Sequence, residues 1–167
     1  MMRKKFDEQL AALNRSLIKM GAICEEAIAL AAKALTQGKK ELADKIEALS
    51  QELEDMEHEV ENLCIKLLLQ QQPVAGDMRH ISAALKMVTD MKRIGVQAED
   101  IAEIIKVMKS DLHFDLRLID DMARATVKMV TDSTDAFVRQ NAELAEKTIA
   151  DDDTVDDYFL RVRKQLI

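Results

Sequence analysis

Residues 71–95 read QQPVAGDMRHISAALKMVTDMKRIG. The stretch holds the only proline, Pro73, and two of the four glycines. Proline disfavours helix in the residue before it, so any helix arriving from the N-terminal side must end here. A new helix is expected to start near Asp77, whose carboxylate suits an N-terminal cap and the helix dipole. From there apolar or small residues recur at Ile81, Ala84, Val88, Met91, Gly95, Ala98, Ala102 and Ile105. Steps of three and four alternate throughout, which is the heptad seam of a helix packed along its whole length.

Working outward, the same seam appears twice before Pro73. One runs through Leu10, Leu13, Leu17, Met20, Cys24, Ala27, Ala31 and Ala34, and stops at Gly38, a suitable C-terminal cap. The next runs through Leu42, Ile46, Leu49, Leu53, Met56, Val60, Leu63 and Leu67. Three helices of ~30 residues, each ~45 Å long at 1.5 Å per residue, joined by short turns, predict an antiparallel three-helix bundle. Beyond it the periodicity predicts a fourth helix over about Phe114–Gln140, with Ile119, Met122, Met129, Ala136 and Phe137 on its apolar side. A fifth is predicted over about Glu143–Ile167, with Leu144, Val155, Tyr158 and Val162. The best boundary lies near Ser110-Asp111. It divides the chain into a first bundle, 1–110, and a partial second repeat, 111–167.

An internal repeat supports that division. Sliding Ser16–Ile65 onto Leu118–Ile167, an offset of 102 without a gap, superposes Met20 on Met122, Ala34 on Ala136 and Val60 on Val162. Glu41-Leu42-Ala43 falls on Glu143-Leu144-Ala145, and the turn Gln37-Gly38-Lys39-Lys40 falls on Arg139-Gln140-Asn141-Ala142. Ile167 corresponds to Ile65, so helix three has no counterpart in the second copy. Two helices cannot close a three-helix core, so their open face could pack on the first bundle, on a second chain or on nothing, and self-association, a dimer first of all, is expected.

Composition narrows the class. Of 167 residues 48% are hydrophobic and 33% charged, with little Gly or Pro, so the turns of an all-β protein are not provided for. Net charge is −7, and the longest basic run is Arg3-Lys4-Lys5. A nucleic-acid partner is therefore not expected. An acidic surface favours cations or a basic protein. Cys24 and Cys64 fall at core positions of separate helices and read as reduced thiols of a cytoplasmic protein. The N-terminus turns polar at once, and no uncharged run approaches the ~20 residues of a membrane span.

Pro73-Val74-Ala75, then Asp77-Met78-Arg79, then Lys86, then Arg93-Ile94-Gly95 resembles the PhoU family of phosphate-signalling proteins. Met56-Glu57 and Val60-Glu61 add a looser match. The resemblance implies two tandem three-helix bundles and a cytoplasmic negative regulator of the phosphate-starvation response, with no enzymatic activity. It implies protein partners: the ATPase of a phosphate ABC transporter and a sensor histidine kinase, with the membrane met only through them. It also implies an acidic, metal-binding pair on the third helix, four residues apart. The matching positions here are Lys92 and Val96. An ammonium cannot ligate a cation and valine has no ligand atom, so neither metal nor cofactor is expected from that site. Of the positions that do match, Arg79, Arg93 and Gly95 are the candidates for contact with a partner.

Other clusters have a chemical and a plain reading. Glu99 and Glu103 share a helix face and could hold a cation weakly, or form a solvated edge. Asp151, Asp152, Asp153, Asp156 and Asp157 repel one another, inviting a cation or a basic partner, or simply meet water. Asp55/His58 and Asp77/His80 have spacings near those of di-iron bundles, yet Asp55 and His58 flank the seam and Asp77 suits a cap. Arg93 points off the seam, toward a partner's carboxylate or a surface ion pair. Three functions stay open at this level: a PhoU-like adaptor, a metal-dependent bundle using the remaining carboxylates, and an oligomerisation module.

Overall fold

The computed structural model describes residues 2–70, 73–108 and 115–167. Among them the chain forms five helices: α1 (Met2–Gln37), α2 (Ala43–Gln70), α3 (Ala75–Val107), α4 (Arg117–Val138) and α5 (Ala142–Leu166). A single turn of 3₁₀ helix, Lys40–Leu42, leads into α2. The class is all-α, as the seams predict. The expected boundary at Ser110-Asp111 lies outside the described residues.

Helices α1, α2 and α3 each pack on the other two and close one core. The buried positions of α3 are the eight of its predicted seam. Leu13, Leu17, Met20, Ile46, Leu53, Val60 and Leu67 meet them from α1 and α2, all fully buried. Both cysteines are free and buried in this core. Desolvation pushes the Cys24 thiol up to about 12 and that of Cys64 up to about 11. The Cys24 thiol donates to the Met91 carbonyl at 3.4 Å.

Gly95 explains how α2 and α3 approach so closely. A β-carbon built there would lie 2.7 Å from Leu53 Cδ1 and 3.3 Å from the Ser50 backbone. Glycine inside a helix costs up to ~1 kcal/mol relative to alanine, and here it makes room for a neighbouring helix. One local detail differs from expectation. Helix α3 starts at Ala75, and Asp77 sits in its first turn, where its carboxylate accepts the Val74 N–H at 3.3 Å. At the other end, the Lys40 ammonium donates to the carbonyls of Lys106 and Met108, at 3.1 and 2.9 Å, satisfying groups the helix terminus leaves open.

The second copy keeps the turn of the first. Gly38 and Gln140, related by the offset of 102, both have positive φ, 64° and 52°. Lys39 donates its N–H to Ala34 at 3.0 Å, and Asn141 donates to Ala136 at 2.8 Å, the same bond in each copy. Asn141 also caps α5, its side-chain oxygen accepting the Leu144 N–H at 3.1 Å.

Helix α4 lies antiparallel on α1, and α5 packs on α4. The α1–α4 crossing is tight: a β-carbon at Gly21 would sit 2.8 Å from Thr134 Oγ1. Next to it the Thr131 hydroxyl donates to the Glu25 carboxylate at 2.7 Å. Buried Thr134 and Thr148 return their hydroxyls to their own helices, to Val130 O at 3.0 Å and Leu144 O at 2.8 Å. With the hydroxyl satisfied, each presents a methyl group to its neighbours.

Candidate functional site

The segment from Met91 to Val96 lies against α2. Lys92 projects from α3, and its ammonium reaches Glu57 at 3.4 Å and Glu54 at 3.8 Å. The Glu57 side chain is only 7% exposed, so it needs this partner. The ammonium thus stands where α2 offers carboxylates, and Val96 is exposed with no ligand atom. These residues do not fit a divalent cation. Glu57 follows Met56 and Lys92 follows Met91, so both stand beside buried seam positions, but which flanking residues meet is not set by spacing.

The partner-contact candidates separate. Arg79 is exposed and makes no ion pair among the described residues. Arg93 is exposed but bonds the Asp90 carboxylate on its own helix at 3.1 Å. The expectation that Gly95 touches a partner is corrected: it is buried under α2 and offers no surface.

The carboxylate clusters remain on the surface. Glu99 and Glu103 share the outer side of α3. Of the five aspartates, Asp151 meets Lys128 at 3.2 Å and Asp157 meets Arg161 at 3.9 Å. No group of three or more His, Cys, Asp or Glu able to hold a metal occurs among the described residues. Asp55 and His58 are exposed, as their place beside the seam predicts.

His80 has a different role. Its Nε2 lies 3.1 Å from Asn14 Oδ1 on α1, and its ring stacks on Phe137 of α4, centroids 4.5 Å apart. Burial lowers its pKa from 6.5, and the nearby Asp77 charge works in the other direction. One side chain therefore joins α3, α1 and α4. Nothing in the sequence pattern marks it, because the contact depends on how α4 is laid down.

His80 also stands at one end of an open apolar groove between α3 and the α4–α5 pair. One section encloses about 690 Å³ and is lined by Met87, Met129, Phe137, Ala145 and Ile149 among others. Further along, Ile94 and Ile101 of α3 face Ile119 and Met122 of α4 and Val155 of α5 across about 300 Å³. His80, Met87, Ile94 and Ile101 are seven residues apart, so α3 carries a second apolar line beside its buried seam. On α5, Ile149 is 74% exposed and Phe159 56% exposed. This geometry is suited to receiving a helix; it holds no arrangement of nucleophile, base and acid.

Comparison with known proteins agrees over the whole chain. A family model described as the PhoU domain matches residues 17–105 and 119–167, one match for each repeat. The phosphate-specific transport system accessory protein PhoU homolog of Clostridium acetobutylicum is 36% identical over 169 residues, covering 100% of this chain and 77% of that protein. The corresponding homolog of Aquifex aeolicus is 32% identical over 164 residues, covering 98% and 74%. Among solved structures, PhoU from Pseudomonas aeruginosa superposes with a TM-score of 0.90 at 27% identity, over 96% of this chain and 78% of that one. The phosphate transport system regulatory protein PhoU from Streptococcus pneumoniae shares the fold, with a TM-score of 0.87 at 24% identity.

Proposed function

The chain belongs to the PhoU family, and from that membership we propose that it is an accessory regulator of phosphate-specific transport, acting in the cytoplasm as a protein–protein adaptor. The family consists of regulatory accessory proteins, not enzymes. The observation that carries the proposal is the extent of the match: both repeats meet the family model, and the alignment to a named accessory protein covers the full chain. The partners proposed are the ATPase of a phosphate ABC transporter and a sensor histidine kinase. Exposed helical faces, with Arg79 among their residues, are the means of contact. No helix among the described residues is long and apolar enough to cross a membrane, which fits a protein that meets the membrane through its partners.

Two measurements test this reading. Immobilised protein should retain the transporter ATPase or the kinase from the same cells. Deletion should derepress phosphate-responsive transcription in phosphate-replete medium. Retention of neither partner, together with unchanged transcription, would overturn the adaptor role. A homodimer belongs to the same proposal, supported by the exposed apolar residues of α5; sedimentation at the mass of a single chain at all concentrations would remove it.

A further inference from the structure

Among the described residues Glu57 is the one buried carboxylate, its side chain 7% exposed. A carboxylate in that position needs a cation within reach. Helix α2 comes close to α3 at Gly95, and the residue that α3 presents to Glu57 is Lys92. The ammonium stands 3.4 Å from Glu57 and 3.8 Å from Glu54, so one positive charge bridges two carboxylates three residues apart on α2. The same arrangement recurs further along α3, where Lys106 bridges Asp44 at 3.4 Å and Glu47 at 3.8 Å. All three side chains of that second bridge are exposed, so water can take the place of its cation. At Glu57 water has little access.

The family resemblance implies an acidic, metal-binding pair where this chain has Lys92 and Val96. A carboxylate at position 92 would set a third negative charge beside Glu54 and Glu57. Only a bound multivalent cation would then balance the buried one. Lysine at that position inverts the requirement, because it removes a ligand and brings a cation fixed to the chain. Val96, one turn on, is exposed and supplies no oxygen.

We propose that Lys92 is a built-in replacement for a metal ion: its ammonium holds the place between Glu57 and Glu54 where a divalent cation would otherwise be needed. The first repeat then has its charge balance without metal, and the seating of α3 on α2 does not respond to the supply of divalent cations. Lys92 acts as a positioning residue, through Glu57. The inference goes beyond the phosphate reading and involves no partner, so its failure would leave that reading standing.

The test removes the ammonium from the full chain and offers Mn²⁺ in its place. In a chelator, Lys92→Gln should lower the thermal unfolding midpoint by about 5 °C. Millimolar Mn²⁺ should restore most of that loss, because Glu54 and Glu57 then hold the ion in the folded state. The same Mn²⁺ should leave the parent's midpoint nearly unchanged. Lys92→Glu should take up one equivalent of Mn²⁺ beyond the parent, read from the electron paramagnetic resonance signal of the free ion. Its affinity should exceed that of Lys92→Gln about tenfold, since a third carboxylate joins the set. Adding Glu57→Gln should abolish that uptake. If Lys92→Glu folds only when Mn²⁺ is present, the ion's role is shown directly; if it folds in neither condition, Lys92→Gln decides. Two results would overturn the proposal. One is a parent chain that binds Mn²⁺ and loses it on Glu57→Gln, since the cation's place would then be open in the native protein. The other is a Lys92→Gln variant that gains no more from Mn²⁺ than the parent does, since the ammonium would then be an ordinary ion pair.

Discussion

Lys92 and Glu57 show how much a single pair can decide. The carboxylate is 7% exposed and the ammonium side chain 31%, so the pair is shielded on one side and wet on the other. Lys92→Met should leave Glu57 buried without a counter-charge. The expected loss in urea unfolding is about 1–3 kcal/mol, below the figure for a fully buried pair because Lys92 is partly hydrated. Adding Glu57→Gln should restore part of the loss, and a double variant no more stable than the single one would contradict the pairing. At this scale the sequence was uneven. The seam of α3 could be read residue by residue, Gly95 included, because heptad periodicity is a local property. The meeting of Lys92 with Glu57 depends on the rotation of two helices about each other, which spacing alone leaves free. Gly95, chosen as a contact residue, lies on that seam, buried where Ser50 and Leu53 of α2 pack against it.

Between elements, the contact of α4 with α1 rests on a small residue facing a compact one. Gly21→Ala would place a methyl group 2.8 Å from Thr134 Oγ1. Overpacking of that kind costs typically 1–3 kcal/mol, against a gain of up to ~1 kcal/mol in helix propensity. The expected result is faster amide hydrogen exchange in α4 and α5, with α2 and α3 protected as before. Thr134→Ala in the same chain should recover most of the protection. Uniform loss across all five helices would show instead that the crossing is not a separate cooperative unit. Helices α4 and α5 were also the less legible elements. Their buried set includes Thr134 and Thr148, which an apolar pattern passes over because their hydroxyls are satisfied within the helix. The predicted span of α4 was too wide: it begins at Arg117, beyond the predicted Phe114, and ends at Val138, before the predicted Gln140, whereas α5, Ala142–Leu166, falls within one residue of its predicted ends.

At the scale of the whole molecule, His80 ties the second repeat to the first. Its folded pKa is lowered from 6.5 by burial, so the unfolded chain takes up the proton first as pH falls. Its contribution is therefore complete above about pH 6.5 and declines below it, toward the lowered folded value. Urea midpoints should fall between pH 7 and pH 5, and His80→Gln should make that decline shallower. A variant with the same slope as the parent would remove His80 from the account. The all-α class and the repeat were legible at this scale, because both follow from periodicity along the chain. The groove was legible only as a missing helix; its second wall, along α3, emerged from the way α4 lies on α1.

The paired turns at Gly38 and Gln140 show what the main chain can hold without glycine. A left-handed residue other than glycine costs roughly 1–2 kcal/mol, yet the second copy bends at the same place with glutamine. The same bend and the same closing hydrogen bond are thus made once with glycine and once without it. At this turn the likeness of the two copies lies in main-chain geometry, since the side chains differ.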